Sequence, residues 1–266
     1  MKNNLVIFPE LISSVISNNE LDIFLIWQCS KLIPSYNNGI IEVKELLNIA
    51  QKLFNYSNTY AYSKVHKGIN RFWRKPFGKN REKKVCLISI DKVVSNYEIN
   101  LTRCKPFEIP LSVIQYKSIK EIKNFFIGIV ACRYDLSRPI ALHSIVENCN
   151  LSESSIRNAL QDCQYVKTKS NYQLINQSFS KILLGKELQS KKDPWAYRII
   201  SNGSYYQLIK QLPNSYSMPE FNRLSMKLRP KSLRRNDKAL LEKIDQRKYF
   251  SIDNTNYHFN DKILTF

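Results

Sequence analysis

Residues Arg138 to Ile175 constrain this chain more than any other stretch, because the apolar spacing changes from helical to alternating within one short span. After Pro139, the residues Leu142, Ile145, Val146 and Cys149 recur at helical intervals, so Ala141 to Cys149 is predicted to form a short amphipathic helix. Asn150 and Leu151 make the turn. Ser152 is suited to cap the next helix, since its hydroxyl can accept an orphan backbone N–H, and Glu153 complements the positive end of that helix. The second helix runs to about Asp162, turning Ile156, Ala159 and Leu160 inward and Ser154, Ser155, Arg157, Asn158 and Gln161 outward. Side chains of these types reach base edges and phosphates in a major groove. Tyr165 to Ile175 then reads as two strands around a polar turn at Ser170 and Asn171, a wing that would carry Lys167 and Lys169 towards phosphate.

Charge agrees with that pattern. The 41 Lys and Arg against 22 Asp and Glu leave a net charge of +19, spread as +7 over residues 1–115, +4 over 116–183 and +8 over 184–266. Such a surface concentrates phosphate polyanions and releases their counterions on binding, so affinity is expected to fall steeply with salt. An apolar content of 43% with 15 Tyr, 13 Phe and 3 Trp fills real cores and excludes a disordered basic chain. An anionic membrane would also attract the charge, but Ile23 to Trp27 and Phe125 to Cys132 are far too short to span a bilayer. No N-terminal signal pattern precedes a cleavage site, so a soluble, cytoplasmic protein without membrane partners is expected. The six cysteines include no C-x-x-C pair and His66, His143 and His258 are scattered. Neither a metal site nor a cofactor is therefore expected.

An earlier segment follows the same grammar. Leu21 to Ile33 is a strongly apolar helix opened by Asn18, Asn19 and Glu20, and Ile40 to Val43 adds a short strand after Asn37-Asn38-Gly39. Glu45 to Phe54 is a second helix with Leu46, Leu47, Ala50 and Leu53 on one face. In a third, Tyr62, Val65, Ile69 and Phe72 share the buried face, leaving Ser63, Lys64, Lys67, Asn70 and Arg71 exposed. Gly68 inside it costs about 1 kcal/mol relative to Ala, which implies a close packing contact or an early helix end. Between Arg71 and Lys84 there are seven basic residues and one acid, with Arg74 and Lys75 in a loop read as a phosphate-gripping wing. Phe72 and Trp73 close the core there. Val85 to Ile90 is read as a strand, and Asp91 to Ile99 as a short helix.

Pro106 to Pro110 is read as the joint between the two units, with a long helix after it built on Ile119, Ile122, Phe126, Ile129 and Val130. Trp195 to Gln211 shows helical stretches, and the prolines of Leu212 to Glu220 break regularity. From Arg223 to Lys248 there are ten basic and three acidic residues. They make either a solubilising tail or an arm that follows the DNA backbone or enters a minor groove. Tyr249 to Phe259 has the pattern of a terminal hairpin.

Two consecutive units of this order in a basic chain resemble plasmid and phage replication initiators of the tandem winged-helix kind, and also helix-turn-helix proteins of phages and integrative elements. The resemblance covers about residues 15–180. It implies a mostly α fold with small β-hairpins: a winged-helix-like domain over 1–112, a second over 113–183 and a basic C-terminal extension over 184–266. It implies double-stranded DNA as partner, and replication or transcription machinery beyond it.

The rival class is an enzyme acting on DNA. A nucleotide-driven motor is disfavoured because Gly78-Lys79 and Gly185-Lys186 are followed by Asn80 and Glu187, not by the Ser or Thr that would hold magnesium. Tyr205 and Tyr206 form an adjacent pair, yet the isolated histidines give a relaxase no metal cluster. A carboxylate-metal nuclease would need acids such as Asp135, Glu147, Asp193 and Asp237, whose spacing is uninformative. RNA binding and an architectural, partner-recruiting role are the remaining alternatives. The expected activity is non-catalytic: Ser154, Ser155, Arg157, Asn158 and Gln161 read bases, while Lys167, Lys169, Lys64, Lys67, Asn70, Arg71, Arg74 and Lys75 hold phosphates.

Overall fold

The apolar runs of the first half wrap one helix completely. In the computed structural model, which describes residues 4–32, 39–75, 83–99, 106–133, 138–175, 186, 188–189, 197–202 and 205–221, helix α2 (Leu21–Ser30) is buried along its whole length. Before it come strand β1 (Asn4–Ile7) and helix α1 (Pro9–Ser17), which opens on a proline at its first turn and buries Leu11, Ile12, Val15 and Ile16. After it come β2 (Ile40–Glu42), α3 (Val43–Phe54), α4 (Asn58–Lys67), β3 (Trp73–Arg74), β4 (Lys84–Leu87) and α5 (Ile90–Asn96). The three strands form an antiparallel sheet in the order β2-β4-β3, with Ile41 opposite Val85 and Arg74 opposite Cys86.

Side-chain chemistry sets the helix ends. Glu42 and Glu45 form a reciprocal capping box at the start of α3, and Asn55 closes that helix in a left-handed conformation at φ 54°. The Ser57 hydroxyl accepts the Tyr60 N–H at the start of α4. That helix stops at Lys67, earlier than the spacing of Tyr62, Val65, Ile69 and Phe72 predicts, so Ala61 and Val65 are its buried residues and Tyr62 is 59% exposed. Gly68 explains the stop and the close contact together. Its φ is an ordinary −74°, but a Cβ there would lie 2.2 Å from Cζ2 of Trp73, whose ring is fully buried and whose indole N–H donates to the Val65 carbonyl at 2.8 Å.

The segment expected to link the two units is itself a strand. β5 (Phe107–Pro110) pairs antiparallel with β1, placing Leu5 opposite Ile109, and α1 packs on α2, α6 and α7. A short 3-10 turn (Leu111–Val113) leads to α6 (Ile119–Ala131), capped reciprocally by Ser118 and Glu121. Then come α7 (Leu142–Cys149), α8 (Glu153–Asp162), β6 (Lys167–Leu174), β7 (Tyr197–Asn202) and β8 (Tyr205–Ser217). The two helices and their Asn150 turn, left-handed at φ 49°, lie where the sequence puts them.

The strands do not. Ser170 and Asn171 are not a hairpin turn: Lys167–Leu174 is one strand, and its partner is β8, more than thirty residues downstream. The stretch from Trp195 read as helical supplies β7 and β8 instead, in the order β6-β8-β7. Pro213 does not end β8. The register shifts between Lys169 (opposite Ser215) and Asn171 (opposite Leu212), so Pro213 and Asn214 stand outside the ladder, where a residue without an N–H costs no ladder bond. Residues 197–217, assigned by the sequence to the extension, thus complete the sheet of the second unit. The basic arm over 223–248 and the hairpin over 249–259 lie outside the described residues.

The chain is a mixed α/β protein of eight helices and three small antiparallel sheets among the described residues, with one continuous apolar core. Its two halves follow related element orders, the second with an added strand. The first runs α2, β2, α3, α4, β3, β4, with β2 bonded to β4. The second runs α6, α7, α8, β6, β7, β8, with β8 in the middle of its sheet and the Ile140 N–H bonded to the Asn214 carbonyl of β8 at 3.0 Å.

Candidate nucleic-acid interface

Helix α8 is amphipathic: Ile156, Ala159 and Leu160 bury one side, and Ser154, Ser155, Arg157, Asn158 and Gln161 are all exposed on the other. Ser152 holds its N-terminus by accepting the Ser155 N–H at 3.3 Å, and its hydroxyl lies 2.8 Å from that of Ser155. Arg157 is not loose. Its Nε and Nη2 donate to Oε1 of Glu153 one turn earlier, at 2.9 and 2.5 Å.

The lysines of β6 lie on a strand that pairs with β8. Lys167 and Lys169 are exposed and two apart, so they share one face of the strand. Between them Thr168 pairs with Tyr216, a buried residue of β8. Burial raises the phenol pKa of Tyr216, and a side-chain hydrogen bond with Asn214 and the positive charge of Arg157 pull it back.

The first unit presents a different face. Lys64, expected on the surface, turns inward and its amine sits 2.7 Å from Asp22, with side-chain exposures of 14% and 6%. Burial works against its charge, but the hydrogen bond and negative charge of Asp22 prevail and its pKa rises. The Tyr56 hydroxyl donates to the same carboxylate at 2.9 Å. The pairing removes Lys64 from any phosphate contact. Lys67 remains exposed at the end of α4, beside Tyr62, Ser63 and His66, which leaves that helix more aromatic and less basic than the sequence predicts.

Arg71 is exposed but engaged. Its Nη1 donates to Glu20 at 2.6 Å, and Tyr97 donates to the same oxygen at 2.5 Å. Asn70 is a turn residue at φ 69°, its N–H donating to the Trp73 carbonyl. Both line a polar cleft with Asn18, Asn96, Tyr97 and Asn148, between α1, α5 and α7. Arg74 and Lys75 are exposed at the end of β3, and Lys84 is exposed where β4 returns. Exposed positive residues of the first half thus lie on the β3 and β4 ends as well as on the helices.

Three features of this surface were missed by sequence reasoning: the Glu153 contact, the Lys64–Asp22 pair and the exposure of Tyr172 at 61% on β6. The i,i+4 spacing of Glu153 and Arg157 was the one available clue. Burial pushes the thiol of Cys29 up to about 12 and that of Cys149 up to about 11, so both stay protonated at neutral pH. Among the described residues no group of three or more His, Cys, Asp or Glu is placed to hold a metal, and no helix is long and apolar enough to cross a membrane. No protein-family model, curated protein or solved structure matches this chain.

Proposed function

We propose that this chain is a sequence-specific double-stranded DNA-binding protein built on two winged-helix units, acting by binding rather than by catalysis. The observation that carries the reading is the polar outer face of α8, followed in the chain by a strand with two exposed lysines. The related element orders support it as well. In the first half a helix, a short strand, two helices and a two-stranded hairpin follow the order expected of a winged helix, and the second half has a similar order with the added strand β7.

The two units differ in role. In the second, Ser154, Ser155, Arg157, Asn158 and Gln161 read base edges, and Lys167 and Lys169 hold the backbone. In the first, Lys64 is committed to Asp22, so base reading falls mainly to α8 while Lys67, Arg74, Lys75 and Lys84 add phosphate contacts. Two linked contacts of modest strength gain affinity through effective concentration. A bound complex of this kind suits replication initiation or transcriptional control on a mobile element, with replication or transcription proteins as further partners.

Competition binding tests the reading. Against a labelled mixed-sequence duplex, unlabelled duplex DNA should displace the label at lower concentration than single-stranded DNA or duplex RNA of equal length. Preference for RNA or for the single strand would contradict it, since a major-groove helix has no access to the deep groove of A-form RNA.

A further inference from the structure

Glu153 is an acid exposed on the very face that is proposed to meet DNA. Its side chain is 60% exposed at the first residue of α8, beside Ser154, Ser155 and Arg157. Negative charge at a helix N-terminus favours the helix, which accounts for an acid at this position. It does not account for the way Glu153 holds Arg157. A guanidinium carries five N–H donors: one on Nε and two on each Nη. Glu153 takes the side edge, receiving Nε and Nη2 on the single oxygen Oε1. The end edge, formed by Nη1 and the second hydrogen of Nη2, is the edge that donates in parallel to O6 and N7 of guanine.

The geometry points to Glu153 as a specificity-determining residue of the α8 site, one that fixes the Arg157 guanidinium by its side edge and aims the end edge at a guanine. The inference rests on the DNA-binding reading above and adds the base and the residue that selects it. Two physical effects act together. Holding the fork in one orientation reduces the rotamer freedom lost on binding, which favours the matched base. The carboxylate also repels phosphate, so a duplex that offers Arg157 no guanine is bound less well. Glu153 lowers non-specific affinity and raises discrimination, whereas an ordinary exposed i,i+4 pair would do neither measurably.

The test is a cycle of full-length proteins: the parent, Glu153→Ala, Arg157→Ala and the double variant. Each is titrated with the duplex that the parent selects from a random library, with single-base variants of it, and with a random duplex. Glu153→Ala should bind the random duplex more tightly and lose about tenfold in preference for guanine at one position, equivalent to one good base contact. In the Arg157→Ala background the same change should leave base preference untouched. Unchanged guanine preference in Glu153→Ala, or an equal loss with and without Arg157, would overturn the inference. If the parent selects a motif that Arg157→Ala loses and Glu153→Ala keeps, only the role of Glu153 falls. If the parent selects no motif, the DNA-binding reading falls with it.

Discussion

Gly68 has a right-handed backbone that any L-residue could adopt, so helix propensity alone predicts that Ala there would stabilise α4 by about 1 kcal/mol. The Trp73 ring reverses the sign. A methyl group 2.2 Å from a fully buried indole forces that ring off its hydrogen bond to Val65, and Gly68→Ala is expected to cost about 1–3 kcal/mol in denaturant unfolding. Lys64 and Lys67 make a sharper pair, because they are three residues apart on one helix and do opposite work. Lys64→Ala leaves Asp22 buried with one partner fewer, and should cost about 3 kcal/mol, the lower end for breaking one side of a buried pair. Lys67→Ala should leave the unfolding midpoint unchanged and lower the salt slope of duplex binding by about one. Equal stability of the two variants would contradict the inward placement of Lys64. Sequence reasoning put both lysines outside because apolar spacing marks a buried face only by its apolar members. The carboxylate that draws Lys64 inward is Asp22, on another helix.

At the scale of elements, legibility followed distance along the chain. Helices α7 and α8 and the Asn150 turn were readable because each depends on residues three or four apart, and the Ser152 cap is local too. The same spacing misled in α4, where Tyr62, Val65, Ile69 and Phe72 straddle the stop at Gly68 and only Val65 sits on the helix's buried side. The hairpin expected in the second half was misread for the opposite reason. Ser170 and Asn171 are a plausible turn by composition, whereas the true partner of β6 lies on β8 and nothing local announces it. Asn171 distinguishes the two arrangements experimentally. Its amide donates to the Pro213 carbonyl at 3.0 Å and to the Ser215 hydroxyl at 2.7 Å, fastening the irregular part of β8 to β6, while the Gln211 amide donates to its carbonyl. A turn would welcome glycine at this position. In the strand, Asn171→Gly should cost about 1–2 kcal/mol and speed amide exchange along both β6 and β8, as expected when a bridging amide is lost. Unchanged or slower exchange would support the hairpin.

For the whole molecule, the paired β1 and β5 and the packing of α1 on α2, α6 and α7 join the two units through one core rather than a free tether. If both units contact DNA, two surfaces held in fixed relation should read a composite site and lose affinity together as salt rises. Charge was the whole-molecule property that the sequence displayed most openly, yet it spreads over every part of the chain and says nothing of where a polyanion would be read. The central claim is that α8 reads it, and selection from a random duplex library at physiological salt, run in parallel on the parent and on Arg157→Ala/Asn158→Ala, tests that most directly. The parent should enrich a defined motif, and the double variant should retain duplex binding while losing about 1–3 kcal/mol of discrimination for each base contact removed. The same motif enriched equally by both proteins, or no motif from the parent, would contradict the account.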